Sequence, residues 1–226
     1  MGADGAGGGL SETRVVPTPF GDARVQLTPA PGTPRALFVL GHAAGGGIEA
    51  PDLAAVRAAG PARGVAVALA EQPYRVAGRR APAPARQLDV AFGAVVAALR
   101  ADPAYAAVPL VTGGRSSGAR VACRTAAATD AVAVVALAFP LHPPGRRSAV
   151  RPRPDREPPD RVGELTAVPV PVLVVAGDRD PFGRPEEFPP GTRVHVVRGA
   201  DHALRVGTDR LAEVVVEWTL AQAAPT

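Results

Sequence analysis

Cysteine occurs once in the 226 residues, at Cys123, so no intrachain disulfide can form. With a single cysteine and four histidines, no group of these residues has zinc-ligand spacing, and no metal or other cofactor is expected. The compartment this implies is a reducing cytoplasm, and Cys123 reads as a small core residue on a helix. Lysine and asparagine are absent, and Ile48 is the one isoleucine. All three use AT-rich codons, so a GC-rich genome accounts for the pattern without invoking function. Every one of the 25 basic residues is therefore arginine, set against 21 acidic ones for a net charge of +4. That balance would suit nucleic acid as a partner. The arginines, however, are scattered among acids and aromatics make up 4% of the chain, so the basic stripe with stacking platforms of a nucleic-acid groove is missing. No apolar run reaches the roughly 18 residues of a membrane span. The opening MGADGAGGGLSE has neither a basic n-region nor an apolar h-region, and residues 1–12 read as a flexible tail before a single domain over 13–226.

Between the absences the chain alternates regularly. RVVPTPFGDARVQLT (14–28) reads as a hairpin around Phe-Gly-Asp. ALFVLG (36–41), VAVALA (65–70), VPLVTGG (108–114), AVAVVALAFP (131–140), VPVPVLVVAG (168–177) and TRVHVVRG (192–199) are short apolar runs, as strands buried on both faces would be. Between them, helical patterns are expected over 50–60, 84–101, 116–128 and 205–222, and a Pro/Arg-rich loop over 141–162. The alternation predicts an α/β fold: a mostly parallel sheet with helices on both faces, an antiparallel N-terminal hairpin and no large cap domain. Ligands on such sheets gather at the carboxyl ends of the strands.

Serine is scarce, with Ser11, Ser116, Ser117 and Ser148 the only four. Gly114-Arg115-Ser116-Ser117-Gly118 matches G-x-S-x-G between a strand and a helix, where an abrupt turn exposes a nucleophile and small neighbours let the backbones pass. Only Ser116 has glycine on both sides at a distance of two; the competing reading is a serine that caps the helix. A serine hydroxyl needs a base, and the base an orienting carboxylate. In the chain order of this motif the carboxylate follows a later strand and the histidine the last. Asp180, three residues after Gly177, fits the first place, with Asp178 a turn residue; His202 fits the second, and Asp201 before it is a candidate cap for the final helix. His195 alternates within a strand and reads as structural. An oxyanion would take one backbone N–H from Ser117 and another from the loop after the early strand, where Ala44 is the first choice and Ala43 the second.

Around these, His42 heads the oxyanion loop and is a candidate pocket residue. His142 either lines the pocket or braces the Pro143-Pro144 turn. Arg115 either binds an anionic substrate group or forms a salt bridge beneath the turn. Tyr74, Arg75, Arg79 and Arg80 follow another strand; one or two of them, with Tyr74 and Arg75 the pocket candidates, are expected to reach the site, and the others read as a solvated face.

The segments LFVLGHAAGG, QPYRVAGRR, GGRSSGARVA, ALAFPLHPPG, VLVVAGDRDPFG and GADHAL, spread over about residues 35–206, resemble the α/β-hydrolases. More narrowly, GRSxG with PLHPPG and GADH is similar to a small group that includes a testis-expressed hydrolase-like protein and a regulatory subunit of a histone acetyltransferase complex, distantly akin to dienelactone hydrolases. The resemblance implies Ser116 as nucleophile, Asp180 as acid and His202 as base. It departs at Ser117, where many relatives have Met, at Ala43, where glycine is usual, and over 145–162, rich in Arg and Pro. The expected activity is hydrolysis of a small-molecule ester or thioester. The alternative is a noncatalytic scaffold on the same fold, since some relatives act as subunits. Substrate identity and oligomeric state are not legible.

Overall fold

A turn at Pro19-Phe20 joins the first two strands, β1 (Glu12–Thr18) and β2 (Gly21–Thr28), into an antiparallel hairpin. Gly21 closes it with φ of 103°, a region that disfavours side chains. The Thr18 hydroxyl accepts the Phe20 N–H at 3.1 Å and donates to the Gly21 carbonyl at 2.6 Å. The computed structural model describes residues 11–142 and 161–224. In chain order there follow β3 (Ala36–Gly41), α1 (Pro51–Ala59), β4 (Val65–Glu71), α2 (Pro73–Val76), α3 (Ala85–Arg100), β5 (Leu110–Arg115), α4 (Ser117–Thr125), β6 (Ala133–Leu137), α5 (Arg161–Thr166), β7 (Val172–Gly177), β8 (Arg193–Val197) and α6 (Thr208–Gln222). Three departures from the expected elements stand out. Arg161–Thr166 is helical although the Pro/Arg-rich reading ran to 162, Pro73–Val76 forms one helical turn, and the last helix begins at Thr208.

The eight strands form one sheet in the order β1-β2-β4-β3-β5-β6-β7-β8. The pairs from β4 through β8 are parallel, while β1-β2 and β2-β4 are antiparallel. Because the inner strands are covered on both sides, alternate residues feed two cores. Phe38, Leu40, Val67 and Val135 pack against α1 and α6 through Leu53, Val56, Leu211 and Val215. On the other face, Leu37, Val39 and Ala68 meet α3 through Phe92, Val95 and Leu99. Val134, Ala136 and Val174 meet α4 and α5 through Ala122, Cys123 and Leu165. Cys123 is buried there, and burial pushes its thiol up to about 12, as suits a packing residue.

The chain leaves β3 for β4 on one side and returns to place β5 on the other. This is the switch point at which open α/β sheets present a crevice beyond their carboxyl ends. Gly41 and Gly114 are register partners across it.

Candidate functional site

At the end of β5 the chain turns into α4 within one residue. Ser116 occupies the apex with φ of 53° and ψ of −107°, a conformation that costs a non-glycine residue about 1–3 kcal/mol. The turn is possible because neighbouring backbones touch. A Cβ on Gly114 would stand 2.7 Å from the Gly41 carbonyl oxygen, and one on Gly118 would stand 2.4 Å from the same atom. Both glycines of the motif are therefore demanded by packing. Ser116 makes no side-chain cap to the helix. Its hydroxyl instead meets His202 Nε2 at 2.9 Å.

His202 lies in the turn after β8, and its Nδ1 meets Asp180 Oδ2 at 2.8 Å. With Nδ1 protonated and donating to the carboxylate, Nε2 accepts from the serine hydroxyl. Asp180 is fully buried, and its second oxygen accepts the Phe182 N–H at 2.8 Å. The loops carrying Asp180 and His202 are pressed together. A Cβ on Gly177 would lie 2.3 Å from the Ala200 carbonyl oxygen, and Asp178 accepts the Gly199 N–H at 2.8 Å. Asp178 is thus a turn residue, bonding the neighbouring loop. Asp201 does not cap the final helix; its carboxylate accepts the Ala203 N–H at 2.9 Å, and Gly207 holds the N-cap with φ of 65°.

The loop after β3 is fastened by His42. Its Nε2 accepts the Gln72 N–H at 3.0 Å, so Nδ1 carries the proton and donates to the Ala43 carbonyl at 2.8 Å. The Gly46 N–H donates to the same carbonyl at 3.1 Å, and the Tyr74 hydroxyl donates to the Ala44 carbonyl at 2.8 Å. Because a trans peptide holds C=O and N–H on opposite sides, fixing the Ala43 carbonyl fixes the direction of the Ala44 N–H. His42 is buried, which holds its imidazole below the ordinary value and keeps it neutral. Ser117 is the first residue of α4, where an N–H has no acceptor within the helix.

An α/β-hydrolase domain model matches residues 34–223. The chain belongs to the α/β-hydrolase family. None of the curated proteins matches it significantly. Among solved structures, this α/β-hydrolase is similar to a serine hydrolase without a lid from Xanthomonas campestris, at 18% identity and a TM-score of 0.73, over 96% of each chain. It is also similar to Est1E of Butyrivibrio proteoclasticus, at 16% identity and a TM-score of 0.74, over 94% of this chain and 99% of that one. A dienelactone hydrolase from Anabaena variabilis aligns at 16% identity and a TM-score of 0.70, over 94% of this chain and 97% of that one.

The remaining candidates of this α/β-hydrolase divide. Arg115 takes the salt-bridge alternative: its Nε lies 3.1 Å from Asp52 Oδ2, and its Nη2 donates to the His202 carbonyl at 2.8 Å. Tyr74 and His42 are buried braces of the loop, with ring centroids 5.9 Å apart. The Arg75 side chain turns to the Arg79 carbonyl at 3.4 Å, and Arg79 and Arg80 are exposed. The His142 ring Nε2 meets Glu187 at 3.3 Å, and the His142 backbone N–H donates to the Phe182 carbonyl at 2.8 Å. The Pro143-Pro144 turn and nearly all of loop 145–162 lie outside the described residues. Sequence reasoning missed Phe182, whose ring stands edge-on to His202 at 4.6 Å, and Asp52. The DPFG string offered a signal for Phe182 only by adjacency to Asp180. Among the described residues no group of three or more His, Cys, Asp or Glu is placed to hold a metal ion.

Proposed function

We propose that this α/β-hydrolase is a serine hydrolase that cleaves a carboxylic ester or thioester. The observation that carries the reading is the continuous contact from Ser116 through His202 to Asp180, at 2.9 and 2.8 Å, on a strained turn at the switch point. Ser116 Oγ attacks the carbonyl carbon while His202 Nε2 takes its proton. Asp180 holds the imidazole in the productive tautomer and stabilises the imidazolium. The N–H groups of Ser117 and Ala44 receive the oxyanion. The tetrahedral intermediate collapses, His202 passes the proton to the leaving alkoxide or thiolate, and an acyl-enzyme remains. Water then attacks the acyl carbon, His202 accepts its proton and returns it to Ser116, and the acid departs.

The ester class draws support from the neighbours. One is a dienelactone hydrolase, and a lactone is a cyclic ester; Est1E was also solved with ferulic acid bound. A small or slender substrate suits a site without a large cap among the described residues. Within the family, GRSxG, PLHPPG and GADH favour the group related to the testis-expressed hydrolase-like protein. Small-molecule chemistry in a reducing cytoplasm, without nucleic acid, belongs to the same reading; no described helix is long and apolar enough to cross a membrane.

A fluorophosphonate probe is expected to label the wild-type protein and to spare Ser116→Ala. Turnover of p-nitrophenyl esters or acyl thioesters should drop about 10⁴-fold or more in that variant and in His202→Gln. Correctly folded wild-type protein that resists the probe would overturn the reading.

A further inference from the structure

Arg115 immediately precedes Ser116, and its guanidinium is engaged by Asp52 and by the backbone of His202. One edge lies against Asp52, in the first turn of α1, with Nε 3.1 Å from Oδ2. Nη2 donates to the backbone carbonyl of His202 at 2.8 Å. The side chains of Arg115 and Asp52 are 12% and 0% exposed. One planar side chain thus joins the residue before the proposed nucleophile to the residue that bears the proposed base, and a carboxylate from a third element holds it there.

This pair is poorly explained as a stabilising device. Burial pushes the Asp52 carboxyl above its ordinary value, and the Arg115 charge only partly offsets that. Buried ion pairs of this kind are commonly replaced by apolar residues at no loss of stability. What an apolar pair cannot do is donate to the His202 carbonyl. Further fastenings of this loop come from the β7 side, among them Gly199 N–H to Asp178 and Arg179 N–H to the Ala200 carbonyl at 3.0 Å. Those set the loop relative to Asp180. The bond from Arg115 sets it relative to Ser116.

We propose that Arg115, clamped by Asp52, is a positioning residue that fixes the distance between the His202 imidazole and the Ser116 hydroxyl. The inference rests on the serine-hydrolase reading above. His202 must reach Ser116 first and the leaving atom next while keeping Asp180, so its backbone tolerates little drift. Displacements of about 1 Å in such arrangements cost on the order of 100-fold in rate. Asp52 has a second effect. Its negative charge balances a buried cation that would otherwise oppose the imidazolium formed when His202 takes the proton.

Two variants test this. Arg115→Lys keeps the charge beside Asp52 but lacks the planar guanidinium that faces Asp52 with Nε while Nη2 donates to the His202 carbonyl. The double variant Arg115→Met with Asp52→Leu removes the pair as a unit. Both are expected to melt close to wild type. Both should lose kcat on a p-nitrophenyl ester by about tenfold to 100-fold with KM within about twofold. The ¹⁵N NMR signal of His202 Nε2, which accepts the Ser116 hydroxyl and is assigned by its shift in Ser116→Ala, should move toward the Ser116→Ala position in both. A purely structural role would shift melting and leave that signal and kcat in place, which would overturn the inference. If the double variant does not fold, Arg115→Lys decides; if neither folds, the pair is a fold determinant and the inference fails. Wild-type protein that is inert to esters and to fluorophosphonate would sink the hydrolase reading instead. The NMR signal would still report whether Arg115 positions His202.

Discussion

Ser116 and Ser117 stand side by side, but the structure gives them different exposures to change. Ser116 Oγ is committed to His202, whereas Ser117 contributes its backbone at the start of α4. Ser117→Met is therefore expected to keep probe labelling within about twofold, since the proposed oxyanion donor is a main-chain N–H. Gly118→Ala has no such latitude. Its Cβ would meet the Gly41 carbonyl oxygen at 2.4 Å and the His42 carbonyl oxygen at 2.9 Å, and both are backbone atoms that cannot rotate away. A loss of about 3 kcal/mol or more in urea denaturation, with probe labelling abolished, is expected. His42 makes a pH-dependent prediction. Burial lowers its folded value below the ordinary 6.5, and the neutral ring is the form whose Nε2 can accept the Gln72 N–H. The unfolded chain takes up that proton more readily, so this contribution is present above pH 6.5 and is lost as pH falls from there. His195, also held low by burial, adds a similar slope, so the comparison is between proteins. Urea midpoints of His42→Gln should fall less steeply than wild type from pH 7 to about 5.

At the scale of the element, α5 shows how a six-residue helix with little propensity of its own is held in place. Leu165 enters the core beside Cys123, and Glu164 accepts two hydrogen bonds from Arg120 of α4, both at 2.6 Å. Arg124 adds a third at 3.1 Å while its other edge binds Asp89 of α3. Burial alone would raise the Glu164 carboxyl, but Arg120 and then Arg124 outweigh it and hold it below the ordinary 4.5. A depressed carboxylate stabilises the fold above its unfolded value, and that contribution disappears as pH falls through the folded one. Glu164→Gln should thus cost about 1–3 kcal/mol at neutral pH. Hydrogen exchange should speed up across Arg161–Thr166. The gap between variant and wild type should close as pH drops below 4.5. Persistence of the full gap in acid would mean that packing around residue 164, rather than its charge, holds α5.

Over the whole molecule, what the sequence disclosed follows from burial and order. The inner strands are covered on both faces, so β3, β4, β6 and β7 stood out as runs rich in Val, Ala and Leu, while β5, LVTGGR, showed through its start and the glycines that follow. The order of Ser116, Asp180 and His202 after successive strand ends was legible for the same reason, since topology turns order into proximity. What depends on one backbone turn was less so. The final helix starts late because residues 201–207 are spent on the Asp201 turn and Gly207. The helical turn at Pro73–Val76 and α5 are too short for a period to show. The tie between Asp52 and Arg115 joins elements distant in sequence, and no spacing rule announces it.

The same architecture separates stability from the proposed chemistry. The site occupies the carboxyl edge of the sheet, whereas the core between α1, α6 and the strands runs beneath it. Leu211 is fully buried in that core, and the sole tryptophan, Trp218, lies two turns further along the same helix and reports its unfolding. Leu211→Ala removes buried methyl groups and leaves a cavity, which costs about 2–5 kcal/mol. The Trp218 emission midpoint in urea should fall accordingly. Below the transition, labelling of the folded fraction should stay within about twofold of wild type, because the turn at Ser116 is set by Gly41, Gly114 and Gly118 rather than by α6. A drop in labelling rate that tracked the loss of stability, at conditions where Trp218 emission is still native, would show instead that α6 transmits its packing to the His202 loop directly before it.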